Sequence, residues 1–137
     1  MEFDLSKRTR LIAEYAHKPA PQIMPVEKFF DGNNDPGSIG CNLVNHPGID
    51  VFGHTLMGLV RRGDVDAVYA QISELDPGEG SWPFTDTIFV VGTIEVDDLR
   101  SLLAPLKPDE VGPGENFKVP EIITQKHRDP VLAAWWD

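Results

Sequence analysis

VDAVYAQISEL (65–75) and TDTIFVVGTI (85–94) decide the fold. In the first stretch Val68, Ala70 and Ile72 fall on one face of an extended chain. In the second, Ile88, Val90 and Ile94 do the same, with Thr87, Phe89, Val91 and Thr93 opposite. Alternation with period two, in a run rich in β-branched residues, predicts a strand. The segment DPGEGSWP (76–83) joins the two, and Pro77–Gly78 suits a turn. The pair therefore reads as an antiparallel hairpin.

Helical patterns flank this hairpin. HPGIDVFGHTLMGLVRRG (46–63) places Ile49, Phe52, Leu56 and Leu59 on one stripe. Pro47 suits a first turn, Asp50 the positive end, Arg61 and Arg62 the negative end, and Gly63 a stop. VDDLRSLLAPL (96–106) turns Val96, Leu99 and Leu103 inward, with Asp97 and Asp98 at its positive end. SIGCNLV (38–44) reads as a short strand before the first helix, and PVLAAWWD (130–137) as a last strand. The order from Ile39 onward is then β-α-β-β-α-β. This predicts an α+β fold of two layers, an antiparallel sheet with helices on one face in the ferredoxin-like order. IMPVEKFF (23–30) fits a short strand or one helical turn, and Pro25 argues against a central strand. PLKPDEVGPGENFKVP (105–120) reads as a Pro/Gly-rich excursion, and EIITQKH (121–127) as one or two helical turns.

Ahead of this lies a stretch from Asp4 to Lys18 in which Leu5, Leu11, Ile12 and Tyr15 are helically spaced, ended by Pro19 and Pro21. It reads as an N-terminal helical arm and linker over 1–24, followed by one α+β domain over 25–137. A chain of 137 residues suits one domain and buries enough surface to fold without a staple.

The net charge is −10, and it is unevenly placed. Residues 1–30 carry four acids and five bases, residues 117–137 carry three of each, and residues 31–116 carry fifteen acids against four bases. An acidic body repels nucleic acid and anionic membranes and favours cations or basic partners. The single cysteine permits no intramolecular disulfide, the N-terminal residues lack an apolar signal region, and no apolar run approaches a bilayer span. Composition thus predicts a cytoplasmic protein with neither nucleic-acid nor membrane partners, and no cofactor motif is present.

FFDGNNDPGSIGCNLVNHPG (29–48) holds the richest set of candidate site residues. Asp31, Asn33 and Asp35 at i, i+2 and i+4 open a calcium loop, because alternate side chains of a tight loop converge on one hard cation. Pro36 stands where that loop needs glycine, and Asn42 where it needs a bidentate glutamate. The competing reading is a turn system, since Asn, Asp, Gly and Pro each favour turns. Cys41 with His46 is a candidate thiolate pair, against which Ile39 and Leu43 argue for a buried, unreactive Cys41. Asp50 and His54 share a helix face as a solvated pair. A site gathering Asp31, Asn33, Asp35, Cys41, Asn42 and His46 would make the protein a small metal-dependent enzyme or a calcium binder.

A second candidate is a partner surface on the hairpin and sheet. Glu74, Asp76 and Glu79 lie near Trp82 on the connection, while Tyr69, Phe89, Trp135 and Trp136 suggest aromatics on a second sheet face. That face requires a cover, supplied by the arm, by the 111–117 excursion or by a second copy. The homodimer and the arm-covered monomer are therefore both expectations. Lacking phosphate-loop, dinucleotide, zinc or hydrolase motifs, the sequence favours a non-enzymatic binding or regulatory protein that neutralises a basic protein partner. The metal-dependent enzyme and the structural homodimer are the alternatives.

Overall fold

The computed structural model describes residues 5–137. Its strands are β1 Gln22–Pro25, β2 Val65–Glu74, β3 Phe84–Gly92, β4 Glu110–Pro113 and β5 Val131–Trp135. They form one sheet in the order β1-β2-β3-β5-β4, and every neighbouring pair is antiparallel. The helices among the described residues are α1 Leu5–Tyr15, α2 Val26–Phe30, α3 Ile49–Val60, α4 Val96–Leu103 and α5 Glu121–Lys126. None is long and apolar enough to cross a membrane. Asp4, expected to open the first helix, lies outside the described residues.

The central hairpin forms as the alternation predicts, with Val68 opposite Val90, Tyr69 opposite Phe89 and Ala70 opposite Ile88. Val68, Ala70, Ile72, Ile88 and Val90 join Leu132, Ala134 and Trp136 of the β5 end in the larger core. Onto that face pack Ile49, Phe52, Leu56 and Leu59 of α3, the stripe that the 3.6-residue period marked. Leu99 and Leu103 of α4, Val26 and Phe29 of α2, and Leu11 and Tyr15 of α1 complete it.

The strand order departs from the ferredoxin-like arrangement. In that arrangement the segment 38–44 would lie between β3 and β5. Here β3 and β5 pair directly, and the segment contributes one parallel bridge, Ile39 to Thr85. The Asx and glycine chemistry of the loop outweighs a short apolar alternation. Gly40 turns the chain at φ 64°, and a β-carbon there would meet the Phe52 ring at 2.9 Å. Of its apolar side chains Ile39 alone is fully buried, Cys41 is exposed, and Val44 is 96% exposed.

Two strands come from segments with weak patterns. Both β1 and β4 are four-residue edge strands that end in proline, Pro25 and Pro113. Short edges closed by a residue that cannot donate resist further pairing. Nor are helices confined to one face. Ile23, Tyr69, Phe89, Val91 and Ala133 form a second core, covered by Ile123 of α5 together with Phe117 and Val119.

α1 is fixed to the hairpin connection by Arg8, which is 9% exposed. Its Nε donates to the Ser81 carbonyl at 2.7 Å, and Nη2 donates to the Gly78 carbonyl at 2.6 Å and to Asp76 Oδ1 at 2.8 Å. A buried guanidinium is tolerated because its donors find fixed acceptors.

Candidate functional site

The loop 31–46 divides its residues rather than gathering them. Asp31 points outward to Lys7, 2.6 Å away. Asp35 is 4% exposed, and both its oxygens are engaged: Oδ1 accepts the Gly37 N–H and Oδ2 accepts the Trp82 N–H, each at 2.9 Å. Asn33 Oδ1 accepts the Asp35 N–H, while its amide donates to Ser38 Oγ, which donates to the Asp35 carbonyl. These bonds close a turn system tied to the hairpin connection. Cys41 is exposed, against the expectation that Ile39 and Leu43 would bury it. Asn42 donates to the Asp137 carbonyl at 3.1 Å. His46 Nδ1 accepts the Gly48 N–H at 2.9 Å, so its single ring proton sits on Nε2, which donates to the Ile39 carbonyl at 2.8 Å. His46 thus braces the entry to α3 against the Phe52 ring, at 5.0 Å between centroids. Among the described residues no three His, Cys, Asp or Glu side chains are grouped to hold a metal.

Asp35 offers a direct test of this arrangement. Asp35→Ala strands a buried N–H at Trp82 and is expected to cost about 2–3 kcal/mol of stability, the penalty of an unmet buried partner of a charged group. Urea unfolding followed by circular dichroism measures it, and a loss below about 0.5 kcal/mol would contradict it.

The expected partner surface is likewise dispersed. Trp82 is fully buried, Phe89 and Trp136 are 1% exposed, and Tyr69 is 8% exposed. The sheet's second face is covered from within the chain, so these aromatics build core rather than surface. Trp135 is half-buried, Glu74 and Glu79 are exposed, and Asp76 is engaged by Arg8.

A large hollow lies elsewhere, between the 18–23 segment and residues 118–122. It encloses about 830 Å³ and is walled by Ile23, Gln71, Val119 and Ile122, with Lys18 and Lys118 at its sides. A smaller hollow of about 210 Å³ shares Lys18, Ile23 and Ile122 and adds Tyr15, Tyr69 and Lys126. Lys28 also lines it but is paired with Glu14. Lys18 lies over the Tyr15 ring, 4.9 Å from its centroid. Among the described residues neither Lys18, Lys118 nor Lys126 makes an ion pair.

Tyr69, which lines the smaller hollow, begins a chain of three polar groups. The Tyr69 hydroxyl is 2.7 Å from His127 Nε2, and His127 Nδ1 is 2.5 Å from Asp66 Oδ2. The Tyr69 and His127 rings are tilted at 58°, 5.6 Å apart. Alternation puts Asp66 on the face opposite Tyr69, which hid this grouping from sequence reasoning. A register shift between Val65 and Ala67 releases Asp66 from that alternation. His127, 58 residues from Tyr69, follows the last turn of α5, which folds over the sheet.

Burial raises the pKa of Tyr69 above its ordinary 10.0, with Asp66 and Glu27 adding to the effect. Burial also raises Tyr15, partly offset by Lys28. These are the chain's two tyrosines. In both, the folded pKa exceeds the unfolded one, so their contribution to stability is complete below pH 10 and is lost as pH rises through the folded values. At pH 10 the folded protein is expected to show well under half of the tyrosinate absorbance, and the urea-unfolded protein about half. Equal absorbance in the two states would contradict the burial of both phenols.

Comparison with family models matches residues 6–135 to the family described as the Uncharacterized protein YfbO family. A relative in Escherichia coli (strain K12), named Uncharacterized protein YfbO, is 29% identical over 122 residues, which is 87% of this chain and 84% of that protein. No solved structure matches. Because the family model spans nearly the whole chain, the protein belongs to the YfbO family.

Proposed function

We propose that the protein is a binding protein whose site is the cleft between 18–23 and 118–126, and that its ligand is a small organic anion with an apolar body. One observation carries this reading: among the described residues Lys18 and Lys118 on the larger hollow, and Lys18 and Lys126 on the smaller, make no ion pair, against Glu121 as the acid lining the larger one, in a chain of net charge −10. Apart from Gln71 and Tyr69, the cleft walls come from the two ends of the sequence, where acids and bases balance, while the acidity sits in 31–116. An anion is therefore repelled by most of the surface and attracted at the cleft, which steers it there. Ligand sites are commonly concave and apolar with a few converging polar groups, and this hollow has that composition. Trp82, Phe89, Trp136 and Tyr69, named as anchors for a basic protein partner, are buried, while Trp135 is half-buried and Glu74 and Glu79 are exposed, so the cleft is the better supported site.

The test uses 8-anilinonaphthalene-1-sulfonate, an anion with an apolar body, titrated by fluorescence. Binding to wild type is expected at one site and to weaken as salt rises. The double charge reversal Lys18→Glu/Lys118→Glu should weaken it about tenfold, the combined effect of two partly exposed charges. Equal affinity in the two proteins would remove the cleft from consideration.

A further inference from the structure

The Tyr69–His127–Asp66 chain specifies what the far end of that ligand carries. This inference rests on the cleft as the ligand site. A carboxylate only accepts hydrogen bonds, so the Asp66 contact at 2.5 Å fixes a proton on His127 Nδ1. In the neutral imidazole with its proton on Nδ1, His127 Nε2 is an acceptor, and the Tyr69 hydroxyl at 2.7 Å donates to it. The phenol's only proton is then committed. What Tyr69 has left to offer is the lone pairs of its oxygen. Burial, which keeps the phenol protonated, maintains this polarity. The order of donors runs from the sheet outward: Tyr69 to His127, His127 to Asp66.

We infer that Tyr69, oriented by His127 and Asp66, acts as a hydrogen-bond acceptor for the bound anion, which therefore bears a hydroxyl, amide or amine donor in addition to its acid group. The ligand class is a hydroxylated or amino-substituted organic acid rather than a plain fatty or aromatic acid. The two requirements are read by different parts of the cleft. The lysines meet the anionic end, and Tyr69, which lines the smaller hollow with Ile23, Ile122 and Ile123, meets the donor. A ligand without the donor leaves the lone pairs of the phenol oxygen unmatched on a residue that is only 8% exposed. Asp66 and His127 do not touch the ligand in this scheme and are positioning residues.

The experiment is calorimetric titration of the full chain with octanoate and with each monohydroxylated octanoate isomer. Its readout is the ratio of hydroxylated to plain affinity, because general loosening of the core lowers both affinities and leaves the ratio unmoved. In wild type at least one isomer is expected to bind about fivefold tighter than octanoate, the effect of one neutral hydrogen bond. Tyr69→Phe, which keeps the ring in the core, should bring that ratio to about one, as expected when the hydrogen bond is gone. Asp66→Asn should also reduce it, because an amide can present either an acceptor or a donor and no longer fixes the His127 proton. The Asp66 side chain is half exposed, so this variant folds without a buried vacancy. Octanoate binding with no isomer preferred, or a preference that survives in Tyr69→Phe, would overturn the inference and leave the cleft standing. Failure of octanoate and of every isomer to bind would instead overturn the cleft reading beneath it.

Discussion

Trp136→Ala is expected to lower the free energy of unfolding by about 3–5 kcal/mol, the range for removing a large aromatic from a closed core. Trp136 is 1% exposed and belongs to the larger core with Leu132 and Ala134. Its ring lies 5.7 Å from that of Phe52, and its Nε1 donates to the Leu106 carbonyl at 2.8 Å. Truncation therefore leaves a cavity between β5 and α3 and an unmet carbonyl at Leu106, in the turn that follows α4. Trp135→Ala supplies the internal control. Trp135 is the preceding residue, it points to the opposite side of the strand, and it is only half-buried, so its loss should be clearly smaller. Urea unfolding of both variants measures the difference. Equal losses, or a loss at Trp136 below about 1 kcal/mol, would contradict the assignment of faces in β5.

The second large effect is expected at Gly92, where β3 ends. Its φ is 156°, and a β-carbon there would lie 2.2 Å from the Asp64 carbonyl oxygen and 2.8 Å from Val65 Cα. Both obstacles are backbone, so no side chain can rotate out of the way. The same carbonyl accepts the N–H groups of Thr93 at 2.8 Å and Ile94 at 3.2 Å, while the Gly92 N–H donates to Pro130 at 2.9 Å. Any shift that admits a methyl group disturbs the start of β2 and the approach to β5 together. Gly92→Ala should cost about 3 kcal/mol or more, by strain and by displaced hydrogen bonds. A variant that unfolds within about 0.5 kcal/mol of wild type would show that the backbone relaxes there.

These two positions also show what the sequence makes legible. The faces of the hairpin and the stripe of α3 follow from periodicity alone, because the buried residues on each face answer to a single core. Trp136 could be placed inside or outside by the same rule, but the rule could not choose between it and Trp135. The edge strands were obscure for a different reason. β1 and β4 are four residues long, end in proline, and pair on one side only, so little of their pattern is enforced by burial. The segment 38–44 shows the opposite error, where Ile39 and Leu43 suggested a strand and the glycine and Asx turns prevailed. Among candidate site residues, Asp35 stood out for its spacing, yet its carboxylate serves backbone N–H groups at Gly37 and Trp82. The lysines of the cleft and the Tyr69–His127–Asp66 chain carry no local motif. Their proximity is created by the return of α5 over the sheet and by an irregularity at Val65–Ala67, neither of which one sequence displays.

The lysine-rimmed cleft is proposed to bind an organic anion. This binding is tested most directly by a ¹H–¹⁵N correlation spectrum of the full chain during titration with octanoate. Saturable shifts are expected at Lys18, Ile23, Gln71, Val119, Ile122 and Lys126, with the hairpin connection 76–81 and the 31–46 loop unmoved. Shifts centred on either of those segments, or no shifts at saturating octanoate, would contradict it.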